Sequence, residues 1–371
     1  MDNNKVNELK TRIEGEIKKI DNKEFTVYFY VIDSKGTASG SLSYIYDIAL
    51  GLKNMGYNVG MMHSEEEFVG VEGWLGKEFA ELPHYNVEKE KIDIGPSDML
   101  FIPEIYSNVM TATKKLPCQK IAILQSFEKM TEFIPFGATW MDLGVYKAIT
   151  TTDANAKRLN KYFPQVKTSV IHPKIDKVFY KSNNPKKLMI NVVASEPSDI
   201  NKIVKPFFWQ YPMYQWVAFR ELRGLSREEF ANALQESAIT VWVDNTTDFG
   251  YTPLEAMKCG SLVVGKVPET APEWMWDNDG DNIDLTKSGI WVENLSSLPT
   301  VLASVIRTWT MDEIPSDIQE SADTLTSVYT EGKQLEDIKN VIIDNFIASR
   351  RSEYITTLET LNNTHKDKTD E

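Results

Sequence analysis

The sequence predicts an α/β protein of two doubly wound domains facing each other across a cleft. Three observations lead there. The chain has 371 residues, too many for one ordinary domain and suited to two. Apolar runs of strand length alternate with stretches of helical periodicity in both halves. One polar segment, KSNNPKK from Lys181 to Lys187, interrupts that alternation in the middle and marks the boundary, giving domains of 1–183 and 184–345 with a last segment of 346–371.

The elements follow in order. A charged N-terminal helix precedes FTVYFYVI, Phe25 to Ile32, a β-branched and aromatic run suited to a strand buried on both faces. The small-residue loop DSKGTASGS then leads into a helix on which Leu42, Ile45, Ile48, Ala49 and Leu52 recur at helical spacing until Gly56 stops it. Tyr57 to Met62 completes a strand-helix-strand unit of the size a parallel crossover needs. Further strands are expected at Met99 to Pro103, Lys120 to Leu124, Ala148 to Thr151 and Val170 to His172, with helices at Tyr106 to Lys115 and Ala154 to Tyr162 between them. The second half reads as strands at Leu188 to Ala194, Tyr214 to Phe219, Ile239 to Val243 and Leu262 to Val264, with helices at Ser226 to Glu236 and Pro253 to Cys259. Beyond Trp291 the chain reads as helical, with amphipathic stretches at Leu298 to Thr308 and Glu331 to Arg350 and a polar end.

Composition narrows the function classes. Hydrophobic residues at 42% and charged residues at 25% exclude disordered, fibrous and membrane-embedded classes. A formal charge of -14 repels polyanions and disfavours nucleic acid or anionic membrane as a general partner. The start of the chain lacks a signal-peptide core and no apolar run reaches membrane-spanning length, so no integral membrane contact is expected. Cys118 and Cys259 lack metal-ligand spacing and read as reduced, buried thiols, which suits a cytoplasmic protein.

The stretch with most chemical content is DNTTDFGYTPLEAMKCGSLVVGKVPETAPE, Asp244 to Glu273. A loop ending in Gly250 lets backbone N–H groups approach a ligand, and a helix opening at Pro253 aims its positive end at the same place, an arrangement suited to a diphosphate. Glu255, expected in the first turn, is placed to accept hydrogen bonds from vicinal ribose hydroxyls. This stretch resembles the donor-binding signature of two-domain GT-B glycosyltransferases, particularly family four, in which two glutamates seven residues apart bracket a glycine loop. Gly250, Pro253, Glu255 and the AMKCGSLVV run fit that signature, while Thr247 stands where the first glutamate is expected, with Asp244 and Asp248 nearby. ETAPE, Glu269 to Glu273, resembles the family's glycine-rich loop ending in proline and glutamate, and Ile149 to Asp176 resembles the end of its first domain.

The resemblance implies two Rossmann-like domains in GT-B architecture, an acceptor-side first domain, a donor-binding second domain, and a C-terminal helix that packs back on the first. It implies a hexosyl- or pentosyltransferase that takes a nucleotide-sugar donor as substrate, needs no other cofactor and no metal, and retains anomeric configuration. Donor contacts are expected from Gly36, Thr37, Gly40, Thr247, Phe249, Gly250, Tyr251, Thr252 and Glu255. Lys202 and Lys205 are the candidates for neutralising the leaving diphosphate, because Ser195 occupies the arginine position. Asp248 and Gln125 complete the catalytic candidates, Gln125 standing where many relatives have histidine. The four histidines, His63, His84, His172 and His365, show no clustered ligand pattern. The acceptor is a hydroxyl on a glycan, a small molecule or a modified base in DNA, for which Lys114, Lys115, Lys120 and the Lys174 to Lys187 stretch are the basic hints. Phe133, Phe136 and Trp140 are aromatics available to stack on it. A catalytically idle domain pair that binds a nucleotide sugar or supports a partner is the alternative of another class, and KGTASGS lacks the spacing of a dinucleotide-binding oxidoreductase.

Overall fold

The computed structural model describes residues 3–194, 196–245, 247, 249–276, 282–285, 288–311 and 316–366. The first lobe contains α1 (Asn3–Asp21), β1 (Thr26–Tyr30), α2 (Gly40–Asn54), β2 (Asn58–His63), α3 (Lys77–Ala80), β3 (His84–Asn86), β4 (Met99–Pro103), α4 (Ser107–Ala112), β5 (Gln119–Leu124), α5 (Phe127–Phe133), β6 (Lys147–Thr150), α6 (Asp153–Tyr162) and β7 (Lys167–Val170). The second contains β8 (Lys187–Ala194), α7 (Pro197–Gln210), β9 (Ala218–Glu221), α8 (Arg227–Glu236), β10 (Ser237–Val243), α9 (Tyr251–Lys258), β11 (Leu262–Lys266), β12 (Ile290–Val292), α10 (Leu298–Thr310) and α11 (Ser316–Ser327). The chain then returns through α12 (Glu331–Ile338), wide π-helical turns over Lys339–Ile347, and α13 (Ala348–Lys366).

Among the described residues the strands form two parallel sheets, of order β3-β2-β1-β4-β5-β6-β7 and β12-β11-β10-β8-β9. Both are doubly wound, and the burial of β1 shows why its residues suit that role. Val27 and Phe29 enter one apolar cluster while Tyr28 and Tyr30 enter another on the opposite face. Phe29 stacks on Phe101 of β4 at 4.8 Å between ring centroids, so truncating either ring should cost about 3–5 kcal/mol. In each sheet the strand order reverses direction once, at β1/β4 and at β8/β10, where the loops leaving the strand ends diverge and open a crevice.

Several boundaries differ from the sequence reading. The strand expected at Val170 to His172 is β7, ending at Val170. Tyr214 to Phe219 is not one strand: Pro212 opens a short 3-10 turn, Tyr214 stacks on Phe207 at 5.9 Å, and pairing starts only at Ala218. Trp140 is fully buried in the first-lobe core and is not available to an acceptor, whereas Phe133 and Phe136 are exposed. The end of the chain is helical through Lys366, and residues 367–371 lie outside the described residues.

The chain passes between the lobes twice, once after β7 and once after α11. The passages are bonded to each other, Ile175 N–H donating to the Tyr329 carbonyl at 2.9 Å. After the second, α12 lies on α2 at Gly51, where a Cβ would come within 3.0 Å of Ile338. α13 then runs against α1: Arg351 pairs with Asp21 at 2.6 Å, and Arg350 and the Tyr354 hydroxyl both donate to the Pro96 carbonyl at 3.1 Å.

Candidate functional site

The strand ends of the two sheets face each other across the cleft. From the first lobe, the loop after β1 is pinned by Asp33, whose buried carboxylate accepts from the N–H groups of Lys35, Val69 and Gly70 at 2.8–3.2 Å. Gly36 takes the left-handed φ of 78° that this turn requires. Ser39 caps α2 by accepting from Leu42 N–H, and the first residues of the helix, Gly40 and Ser41, line the cleft.

From the second lobe, the loop after β10 ends at Gly250, in left-handed conformation with φ 74°. Its N–H donates to the Thr247 hydroxyl at 3.1 Å, and a Cβ there would press on Pro272 and Trp274. Helix α9 therefore starts at Tyr251, not at Pro253. Proline occupies a first-turn position where a missing N–H costs nothing. Glu255 accordingly sits two residues further in than the sequence suggests, past the first turn, which holds no acid.

The two helix starts meet. Tyr251's ring lies so close to Gly40 that a Cβ on Gly40 would be 2.7 Å from it, so the glycine is needed for the lobes to approach. On either side of this contact is a chamber. The first, about 280 Å³, is lined from the first lobe by Thr37, Gly40 and Ser43, and from the second by Arg223, Arg227 and Glu255. The second, about 270 Å³, is lined by Glu104, Gln125 and Lys129 facing Asp244, Thr247 and Gly250. Gly40, Tyr251 and Thr252 line both.

Charge in the first chamber is held in an interlobe network. Arg227, the first residue of α8 after its cap Ser226, pairs with Asp176 at 3.2 Å and donates to the Ser43 hydroxyl at 3.0 Å. Behind it, buried Asp47 pairs with Lys174 at 3.2 Å. Burial pushes the Glu255 carboxyl up to about 7, against the pull of Arg227. Asp47 is raised to about 6, again by burial, with Lys174 and Arg227 opposing. The Tyr251 phenol is raised well above its ordinary value by burial, and its oxygen has no hydrogen-bond partner among the described residues.

In the second chamber Glu104 follows β4 directly and is 4% exposed. It accepts from Ser126 N–H at 2.9 Å, and burial raises it to about 7 despite help from the backbone amides and Lys129. Gln125 donates to the Ser41 carbonyl at 3.1 Å, tying the end of β5 to α2. Phe249 is buried behind the chamber, and its carbonyl accepts from the Trp274 indole at 2.7 Å.

Of the residues singled out from sequence, Thr37, Gly40, Gln125, Thr247, Phe249, Gly250, Tyr251, Thr252 and Glu255 line one or both chambers. Gly36 shapes the loop without lining either. Lys202 and Lys205 are not brought to the chambers: both are exposed on α7, and Lys202 pairs with Asp199 at 2.6 Å. The guanidiniums of Arg223 and Arg227 occupy the first chamber instead. Asp248 and Ser195 lie outside the described residues, as does the side chain of His365. Glu104, Lys129, Arg223 and Arg227 are residues the sequence reading misses. For Glu104 a signal exists, an acid directly after a buried strand, but its weight depends on knowing that β4 borders the point where strand order reverses. Among the described residues no group of three or more His, Cys, Asp or Glu is placed to hold a metal ion, and no helix is long and apolar enough to cross a membrane.

No family model matches the chain, and no curated protein matches it in sequence. Solved structures do align with it. Sucrose-phosphate synthase from Thermosynechococcus elongatus aligns at 12% identity and TM-score 0.58, covering 87% of this chain and 99% of that one. The pneumococcal O-GlcNAc transferase GtfA, in complex with UDP and GlcNAc, aligns at 11% identity and TM-score 0.60 over 91% of this chain and 99% of its own. Anabaena HepE in complex with UDP-glucose aligns at 11% identity and TM-score 0.55, over 85% and 99%. Likeness at this identity is likeness of fold, and together with the two parallel sheets it establishes that the chain is built as two Rossmann-like domains in the GT-B architecture of these glycosyltransferases.

Proposed function

We propose that the protein is a glycosyltransferase that moves a hexosyl or pentosyl group from a nucleotide sugar to a hydroxyl acceptor. The observation that carries this reading is the meeting of two helix N-termini, one from each lobe, between two chambers of similar size. A diphosphate at that junction receives backbone N–H groups from α2 and α9, with the Arg227 guanidinium beside it. Its nucleoside then occupies the first chamber, where Glu255 binds the ribose hydroxyls, and its sugar occupies the second. Structural neighbours crystallised with UDP or UDP-glucose support a donor of this class.

Departure of the diphosphate places negative charge at the junction as the glycosidic bond breaks. Oriented N–H groups and a guanidinium stabilise that charge without a metal ion. The acceptor hydroxyl attacks in the second chamber from the face the diphosphate leaves, which retains configuration, and Glu104 and Gln125 orient hydroxyl groups there. Contact of the lobes at Gly40 and Tyr251 excludes water and protects the donor from hydrolysis.

Calorimetric titration with uridine, adenosine and guanosine diphosphates and their sugars tests the reading. One nucleotide should bind tightly, and Glu255→Ala should weaken it at least tenfold, the loss of about one charge-assisted hydrogen bond. Chelator should leave transfer unchanged, and NMR of the product should show the donor's anomeric configuration. Absence of binding across the panel by folded protein would overturn the assignment.

A further inference from the structure

The cleft does not end at the second chamber. Along the edge of the first sheet the strand ends run from β1 through β4, β5 and β6 to β7, and the second lobe opposes them with the loops after β8 and β9, then β10, then β11. Past the second chamber, between His172 in the segment after β7 and Trp274 in the loop after β11, lies a third cavity of about 490 Å³, in the size range of small-molecule sites. Thr151 lines both the second chamber and this one. Elsewhere two rings separate them, Phe249, which lines the second chamber, meeting Tyr329 of the third edge-on at 5.1 Å.

The chemistry of the third chamber differs from that of the other two. Its walls are mainly apolar, from Trp274, Leu325, Val328 and Tyr329. The acidic and basic side chains lining it already have hydrogen-bond partners. Glu273 accepts from Ala154 N–H at 3.1 Å, Lys333 is held by Asp337 at 3.0 Å, and His172 Nδ1 bonds Asp337 at 2.7 Å. Among the described residues that line it, the buried polar atom without a hydrogen-bond partner is the hydroxyl oxygen of Thr151, a residue that also lines the second chamber.

We infer that the third chamber receives the apolar body of the acceptor, an aryl or alkyl alcohol whose hydroxyl passes Thr151 into the second chamber. The inference rests on the proposed transferase reading, in which the nucleotide fills the opposite end of the cleft and leaves this end for the acceptor. A flat apolar body is desolvated by Trp274 and Tyr329, and the Thr151 hydroxyl satisfies its oxygen on the way.

The test uses 2-naphthol as probe on the full chain. Val328 is 55% exposed, so Val328→Trp fills the chamber from its rim without disturbing the core. Fluorescence titration should show 2-naphthol binding to the wild type and at least tenfold weaker binding to Val328→Trp, while binding of the nucleoside diphosphate is the same in both. Naphthol should be glycosylated in preference to glycerol, a hydroxyl acceptor with no apolar body, and Thr151→Val should lower transfer to naphthol more than transfer to glycerol. Equal naphthol binding by wild type and Val328→Trp, or binding without transfer in protein that hydrolyses its donor, would overturn the acceptor assignment with the donor reading intact. Failure of every nucleoside diphosphate to bind the wild type would show instead that the donor reading is wrong, and the acceptor assignment would fall with it.

Discussion

The first and second chambers have nearly the same volume and each contains a carboxyl group raised to about 7 by burial, yet they hold it differently. Glu255 sits within the field of an interlobe ion network, Arg227 with Asp176 and Lys174 with Asp47. Glu104 is held by backbone amides at the ends of β4 and β5, inside one lobe. The difference teaches that the first chamber exists only when both lobes contribute, whereas the polar wall of the second is already assembled in the first lobe. Binding of a ligand in the first chamber is therefore coupled to the lobes' approach, while the Glu104 wall of the second is in place before the second lobe closes it.

The largest effect that sharpens this contrast is expected from Arg227→Met. It leaves Asp176, 19% exposed in its side chain, without its partner, and breaking a pair buried to this degree costs about 3 kcal/mol. Denaturant unfolding should show that loss, and an unchanged midpoint would break the claim that the network joins the lobes. Next is Gly40→Val, which forces a side chain onto the Tyr251 ring at the junction and should cost about 2 kcal/mol as overpacking. Adding Tyr251→Ala should recover part of it, a favourable coupling of about 1 kcal/mol in a double-mutant cycle.

The two carboxyls give a smaller and pH-dependent effect. Each folded-state value lies above the ordinary 4.5, so the folded protein keeps a proton that the unfolded chain releases. Their contribution to stability is greatest at low pH and is lost as pH rises from about 4.5 to about 7. Glu104→Gln should accordingly raise Tm relative to wild type more at pH 8 than at pH 5 in ligand-free protein. Glu255→Gln should do so less cleanly, because it also removes a partner of Arg227's field. A pH-independent difference for Glu104→Gln would show that its carboxyl titrates normally. The smallest effect is expected from Thr247→Val, which loses the hydrogen bond from Gly250 N–H and should cost about 1 kcal/mol.

How much of this is legible in sequence depends on how local each cause is. Strand β4 coincides with the apolar run MLFIP, and the end of the loop at Gly250 is readable because a glycine directly before a helix marks its boundary. Chambers are not local. Arg227 is an ordinary first residue of a capped helix until folding brings Asp176 and Ser43 to it from 51 and 184 residues away. Lys202 has the charge a diphosphate wants, but the period of α7 turns it to solvent, where Asp199 three residues earlier neutralises it. The start of α9 is misread by two residues because Pro253 is a good first residue and an equally good third one.

The paired passages between the lobes have a mechanical consequence. Because Ile175 and Tyr329 are bonded and α13 returns to lie on α1, the second lobe is inserted into the first and hangs from it like a door on two adjacent hinge pins. Two adjacent connections leave one axis of easy rotation and oppose twisting, so any closure about them would bring Tyr251 to the same glycine. Helices α1 and α13 both belong to the frame, and a label attached to either one travels with the frame rather than with the door.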